Sequence, residues 1–557
     1  MRILIATIVA IACASAHAAD RPNVLLICVD DLKPTLGCYG DALAKTPSVD
    51  RLAARGMVFE RAYCNQAVCS PSRNALMLGL RPQTIGVYDL GTNFRKAVPD
   101  AVTLAQHFKA SGYRTQAMGK IFHVGHGNRE DAASWSVPHF QAKTVQYALP
   151  ENKAKMTREG ALFENKPGAN ELPKGAAYES ADVPDDTYGD GKIAAEAIAR
   201  LTTASKDGPG GPFFMAVGFL KPHLPFCAPK KYWDLYDRSK FELAKVTEPP
   251  AGAPPYAPQF GGELRNYADV PQGKQPLDPD LQRSLIHGYY AATSYMDAQL
   301  GRVLDALEST GLAKNTIVVL WGDHGWHLGD HGMWCKHTNY EQAARVPLLI
   351  AGPGVAGGRT TAFIETVDLY PTLAALAGLP EPKNLDGISH APGLKSGKPA
   401  GRDSVTHVYP RSERIGRAVR TERYRLVEWK RPGEPAEKAE LELYDYQTDP
   451  HETKNLAGEQ SEVVAKLREI LARQPEAKRQ WRPADAPAAG AANPAKPKVD
   501  REDLFKRKDK DADGKLTKAE FMANQPDPDG AAQRWVTFDA DKDGTLSKDE
   551  FVGAGKK

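Results

Sequence analysis

The sequence predicts an α/β protein with a large, mainly parallel sheet flanked by helices, then a smaller α+β region and a separate all-α tail. Three observations carry this. From Arg21 to about residue 400, short apolar runs alternate with helical patterns. From 401 to 482, strand-like stretches crowd together ahead of one helix. Residues 483–498 are rich in Ala and Pro and poor in large apolar side chains, a linker that sets residues 499–557 apart.

Residues 1–18 read as an export signal, with Arg2 ahead of an apolar run from Ile3 to Cys13 and a small-x-small cleavage site at Ala16-His17-Ala18. The run is too short to span a bilayer, and no later segment is apolar enough to do so. The expected product is exported, periplasmic or secreted, with no stable membrane insertion. The strongest strands are expected at Asn23–Asp30, Phe213–Leu220, Thr316–Gly322 and Val346–Ile350. The best helix is expected at Ser294–Leu307, where Met296, Leu300, Val303, Leu304 and Leu307 share a face. A second helix, Asp368–Leu376, stops ahead of Gly378. In the α+β region the strands are Tyr424–Trp429 and Leu441–Tyr446, and the helix is Glu462–Arg473.

With 42% hydrophobic and 25% charged residues, the 557-residue chain is globular. Its net charge of +3 supplies no field for nucleic acid, which is excluded as a bulk partner. Seven cysteines are present; Cys13 leaves with the signal, and the other six show no CxxC pairing.

The chemistry gathers at strand ends. Asp30-Asp31 end the first strand, where open α/β sheets place ligands, and adjacent carboxylates call for a cation. Their hard oxygens select calcium or magnesium. Asp323-His324 end another strand in the same way. Lys120 and His123 lie in Gly-Lys-Ile-Phe-His, His223 in Lys-Pro-His-Leu-Pro, and Lys336 in Trp-Cys-Lys-His. Taken singly, each has a bland reading as a turn, a solvated charge or a structural histidine. Cys69-Ser70-Pro71-Ser72-Arg73, alone, reads equally as a buried cysteine before a proline-started helix.

The segment Cys69–Arg73, continuing through Leu76 and Gly79, resembles the sulfatase signature, although Leu78 and Leu80 stand where that family more often has Thr and Arg. The resemblance implies the alkaline-phosphatase-like sulfatase fold and a formylglycine made from Cys69 by a separate maturation enzyme. It implies a calcium held by Asp30, Asp31, Asp323, His324 and the modified Cys69. Arg73, Lys120 and Lys336 would stabilise the sulfate charge. In the family, a hydroxyl of the aldehyde hydrate attacks sulfur to give a covalent sulfo-enzyme. His223 would protonate the leaving alcohol and His123 would take the final proton, roles the two could exchange. Arg81-Pro82, Lys221–Phe226, His324–Gly332 and Lys336-His337-Thr338-Asn339-Tyr340 look most like the iduronate-2-sulfatase branch, over roughly Arg21 to residue 475. The implied activity is removal of sulfate from a sulfated sugar or glycan. The alternatives are a phosphate or phosphonate ester hydrolase of the same superfamily, or an inactive calcium-dependent glycan-binding protein. Trp326, Trp334 and Tyr88 are candidates for stacking on a sugar or for packing, and Arg95 and His327 for glycan contacts.

In the tail, Asp509, Asp511, Asp513, Lys515, Thr517 and Glu520 fit the EF-hand loop positions. Asp539, Asp541, Asp543, Thr545, Ser547 and Glu550 fit them again. Entering helices are expected at Asp503–Lys508 and Ala532–Phe538. The reading is a paired EF-hand holding up to two calcium ions.

Overall fold

The structure is a computed structural model describing residues 21–553, apart from 143–145, 154–156, 207–210, 261, 399–400, 486–500 and 524–534. The expected signal at 1–18 lies outside the described residues, as does most of the expected linker. The chain divides into two compact units, one up to Asp485 and one from Ala486.

In the first unit, β1 (Asn23–Val29), β2 (Gly56–Tyr63), β3 (Arg114–Gly119), β5 (Phe213–Phe219), β7 (Thr316–Gly322), β8 (Arg345–Ala351) and β9 (Gly358–Glu365) form one seven-stranded sheet, with β4 (Tyr178–Ala181) and β6 (Phe226–Pro229) pairing beside it. The order is β3-β5-β1-β7-β8-β2-β9. β1 is buried on both faces: Val24, Leu26 and Cys28 join one core cluster, and Leu25, Ile27 and Val29 the other. That two-sided burial explains its unbroken apolar run. β8 departs from the parallel pattern, running antiparallel to both β7 and β2. Residues 323–344 return without a crossover helix, so the chain comes back in the opposite direction.

The principal helices are α1 (Cys69–Leu78), α2 (Gly189–Lys206), α3 (Pro279–Ser309) and α4 (Leu369–Leu376). The expected Ser294–Leu307 helix is the second half of the 31-residue α3, which Asp278 caps by accepting from Asp280 and Leu281. The first half was hidden because it buries Tyr289, Tyr290 and Gly288 along with Leu285 and Ile286, a mixed face in place of a regular aliphatic stripe. Beyond it, β10 (Ser404–Arg411), β11 (Arg414–Thr421), β12 (Tyr424–Lys430) and β13 (Glu440–Asp445) form an antiparallel sheet. Helix α5 (Ser461–Ala472) packs on it through Val464, Leu467 and Leu471.

The second unit contains α6 (Arg501–Lys508), α7 (Lys518–Met522), α8 (Lys548–Gly553) and helical residues 535–538. Residues 532–534 of the expected entering helix lie outside the described residues. The tail is not purely helical, because β14 (Lys515–Thr517) and β15 (Thr545–Ser547) pair with Leu516 opposite Leu546. Both leucines join Phe505, Phe521, Trp535 and Phe551 in a small core.

Candidate active site

Val29 pairs with Phe219 on one side and Gly322 on the other, so β1 ends between β5 and β7 with the chain crossing away in both directions. Such a switch point opens a crevice at the carboxyl ends of the strands. Asp30 and Asp31 enter it fully buried, and Asp31 takes φ 59°. The Asp31 N–H donates to Asp323 Oδ1 at 3.0 Å, tying the two strand ends together. His324 Nε2 lies 3.3 Å from Asp31 Oδ1 and 3.6 Å from Asp323 Oδ1.

Helix α1 delivers its first residue, Cys69, to this crevice, where Sγ is 3.3 Å from His324 Nε2. One turn on, Ser72 Oγ donates to the Asp323 carbonyl at 2.5 Å. The Arg73 guanidinium, with no exposure, donates to Asp323 Oδ2 at 2.9 Å and Asp30 Oδ1 at 3.0 Å. It also donates to the carbonyls of Lys120 and Ile121, fixing the chain after β3. That chain turns over β5 at Gly119 (φ +72°) and Gly218, where a Cβ would meet the Lys120 carbonyl at 2.1 Å. The turn lets Lys120 Nζ reach Asp30 Oδ2.

Lys336 Nζ donates to both oxygens of Asp31 at 3.0 and 3.1 Å, and sits 5.1 Å above the Trp326 ring. His223 follows β5 with Nδ1 against the Leu224 carbonyl and Nε2 3.9 Å from Asp30 Oδ2. His123, after β3, pairs with His126 at 3.2 Å. All residues expected at the catalytic centre therefore converge on one crevice.

The electrostatics follow from burial. Burial alone would raise the Asp30 carboxyl, but Lys120, His223 and Arg73 hold it well below the usual range. Burial lifts Asp323 to about 6 against His324 and Arg73. Burial, then Asp30, pushes the Cys69 thiol well up, so the unmodified side chain is protonated at neutral pH and is no thiolate nucleophile. Burial also lowers both His123 and His223.

Glu263 was missed by sequence reasoning. Its carboxylate lies 2.7 Å from Lys336 Nζ and 3.3 Å from His223 Nε2. It follows a Pro-rich stretch, without the strand-end context that marked the others. His126 was also missed; a histidine between two glycines just after His123 was the available signal. The aromatic candidates lie inside the protein: Trp326, Trp334 and Tyr88 are all buried, with the Tyr88 hydroxyl on the Lys478 carbonyl. Arg95 is committed to Asp131 and Gln106, and buried His327 to Thr338.

The donor set suits a hard divalent cation. Ligand atoms of Asp30, Asp31, Cys69 and His223 lie within 4.8 Å of one another, as do those of Asp30, Cys69, Asp323 and His324. Four carboxylates (with Glu263) face the three cations Arg73, Lys120 and Lys336, leaving the site one negative charge. A dication turns that into one positive charge, the complement of a monoanionic ester.

Residues 22–379 match the family model described as sulfatase. The chain belongs to the sulfatase family. Residues 329–477 also match the model described as N-sulphoglucosamine sulphohydrolase, C-terminal. The chain is 39% identical over 401 residues to the iduronate 2-sulfatase of Mus musculus, covering 66% of this chain and 70% of that relative. A solved 2-O GAG sulfatase superposes with a TM-score of 0.56 at 25% identity, covering 81% of this chain and 91% of the other. The phosphonate monoester hydrolase of Agrobacterium radiobacter shares the fold, with a TM-score of 0.64 at 24% identity, covering 81% and 95%. This sulfatase is thus a sulfuric ester hydrolase with the alkaline-phosphatase-like sulfatase fold. Among its described residues no helix is long and apolar enough to cross a membrane.

In the tail, Asp509, Asp511 and Glu520 form one acidic cluster, and Asp539, Asp541 and Asp543 another. Gly514 and Gly544 donate back to Asp509 and Asp539, curling each loop around its carboxylates. The described cysteines Cys28, Cys38, Cys64, Cys69, Cys227 and Cys335 are free.

Proposed function

We propose that this protein is an exported sulfatase that removes sulfate from a sulfated sugar or glycan, in the manner of the iduronate-2-sulfatase branch. The observation that carries this is the convergence of Cys69, His324 and three carboxylates, flanked by Lys120 and Lys336, in one buried crevice. The names of the relatives, an iduronate 2-sulfatase and a 2-O GAG sulfatase, favour a sulfated saccharide.

Asp30, Asp31, Asp323, His324 and the side chain at 69 would hold calcium, which supplies Lewis-acid stabilisation of the sulfate oxygens. A formylglycine made from Cys69 by a maturation enzyme supplies, as its hydrate, a hydroxyl nucleophile in place of the protonated thiol. Arg73 fixes the carboxylates and the β3 loop in register. Lys120 and Lys336 receive the sulfate oxygens, leaving their present carboxylate partners in part to the cation. His223 gives a proton to the departing sugar oxygen, and Glu263 beside Nε2 favours the protonated ring against burial. His123 takes the proton that accompanies release of sulfate.

The site belongs to a catalytic domain at 21–400 supported by a subdomain at 401–482. Beyond a linker at 483–498, the unit at 499–557 is a paired EF-hand for two further calcium ions, using Asp509, Asp511, Asp513, Lys515, Thr517 and Glu520, then Asp539, Asp541, Asp543, Thr545, Ser547 and Glu550.

The test joins peptide mass spectrometry with sulfate release from a panel of sulfated sugars, after co-expression with a maturation enzyme. The expected result is a loss of about 18 Da at Cys69 and calcium-dependent release that Cys69→Ala abolishes. Full conversion with phosphoester cleavage and no sulfate release would refute the reading.

A further inference from the structure

His126 lies in Gly125-His126-Gly127, three consecutive residues with φ of 111°, 55° and 90°. Glycine adopts such values freely, whereas a histidine there is strained. The turn is nonetheless fixed on every side. Gly125 and Asn128 exchange backbone hydrogen bonds of 2.8 and 3.2 Å, the His126 N–H donates to the Leu162 carbonyl at 3.0 Å, and the Gly127 N–H donates to Asn165 Oδ1 at 2.6 Å. The buried Asn128 amide donates to the Leu90 carbonyl at 3.1 Å and to Oγ of Ser70, the neighbour of Cys69, at 3.3 Å. Surroundings that over-determine a strained residue mark it as functional.

What the turn presents is an imidazole. His126 Nδ1 lies 3.2 Å from His123 Nε2, with ring centroids 5.3 Å apart. His123 is buried and His126 half-buried, so the pair runs from the catalytic centre outward. An imidazole can take a proton at one nitrogen and release another from the second. Burial first and Lys120 second lower both rings, which keeps them neutral and able to accept.

We propose that His126 is the outer half of a two-histidine proton relay, carrying away the proton that His123 collects and handing it to water. The proposal rests on His123 acting as the base, as set out above. His123 takes the collected proton at Nδ1 and becomes briefly cationic; its Nε2–H bond then breaks as a His126 Nδ1–H bond forms. His126 Nε2 then loses its own proton to water and keeps the electron pair, leaving both rings neutral. Exchange with water restores the starting tautomers.

The test uses the full-length, calcium-loaded protein. His126→Gly removes the ring and relieves the backbone. His126→Asn tolerates the left-handed turn and offers His123 a hydrogen bond through which no proton passes. Both variants are expected to lower kcat about ten-fold or more while KM changes less than about two-fold. Added imidazole is expected to restore His126→Gly in proportion to its concentration. In 15N spectra of the wild-type histidines, His123 Nε2 is expected to show a hydrogen bond that His126→Gly abolishes. Wild-type turnover in His126→Asn, failure of imidazole to rescue His126→Gly, or an His123 signal indifferent to His126 would each overturn the relay. A wild-type enzyme that is silent on every sulfated sugar counts against the substrate reading instead, and the 15N experiment still decides whether the rings share a proton.

Discussion

Replacing Arg73 by Met keeps most of the side-chain volume and removes the cation between Asp30 and Asp323. Arg73 has no exposed surface and bonds to both carboxylates. Removing one partner of a buried ion pair costs about 3–5 kcal/mol, because the remaining charge is left without compensation. Unfolding entropy of about 2.1 cal/mol/K per residue gives roughly 1 kcal/mol/K for a unit of this size, so Tm should fall by about 3–5 °C without calcium. The sign of the pH dependence follows from Asp323. Its folded value of about 6 lies above the ~3.9 of a free aspartate, so the folded state holds an extra proton and gains relative stability as pH falls through 6. Loss of the guanidinium pushes that value further up. The variant should therefore lie furthest below wild type at pH 8 and draw closer to it at pH 5. Calcium at about 100 times its Kd returns roughly 2.7 kcal/mol, since the cation takes over the compensation. Thermal melts at both pH values, in chelator and in calcium, read all of this. Equal stability of variant and wild type in chelator at pH 8 would show that the two carboxylates are not held ionised by Arg73.

Lys336→Met should lower kcat/KM by about 10²–10³-fold through loss of a charge aimed at the sulfate, with Lys336→Arg in between; steady-state kinetics showing an unchanged value would remove Lys336 from the site. Glu341→Gln breaks a buried network with Arg425 and Arg420 and should cost about 3 kcal/mol at pH 7. Burial opposes ionisation there, yet the two arginines hold Glu341 at about 2, below the ~4.3 of a free glutamate. Its stabilisation is complete above pH ~4.3 and is lost as pH falls towards 2, so the variant should show a flatter acid limb in chemical denaturation; an unaltered limb counts against the network. Asp509→Ala with Asp539→Ala should remove two calcium ions by titration calorimetry and leave kcat within about two-fold; a parallel loss of sulfate release would tie the tail to catalysis.

The site was legible where chemistry followed an apolar run in sequence. Asp30-Asp31 and Asp323-His324 each end a strand buried on both faces, so the run and the ligands could be read together. Strand direction was not legible, because the Arg345–Ala351 run is equally apolar whichever way it points. Nor was the first half of α3, whose buried face mixes aromatic and small residues with Leu285 and Ile286. Glu263 and His126 sit on loops and meet the catalytic groups only through the fold. The aromatic rings at 326 and 334 carried no sequence mark separating a sugar platform from a core side chain, and burial decided it.

Asp30 and Lys336 divide the charged site into two parts with different physics. Asp30 meets Arg73, Lys120 and His223, and Arg73 in turn bonds the other strand end and two carbonyls after β3. Without a cation to compensate it, no part of that cluster can leave without stranding a buried charge, so folding and catalysis draw on the same contacts. The Lys336–Glu263 pair is looser, since Glu263 is 23% exposed and comes from a separate loop. Glu263 keeps a path to water, whereas Asp30 is fully buried. On the proposed function, an incoming anion would compete with Glu263 for Lys336 and leave the Arg73–Asp30 pair intact.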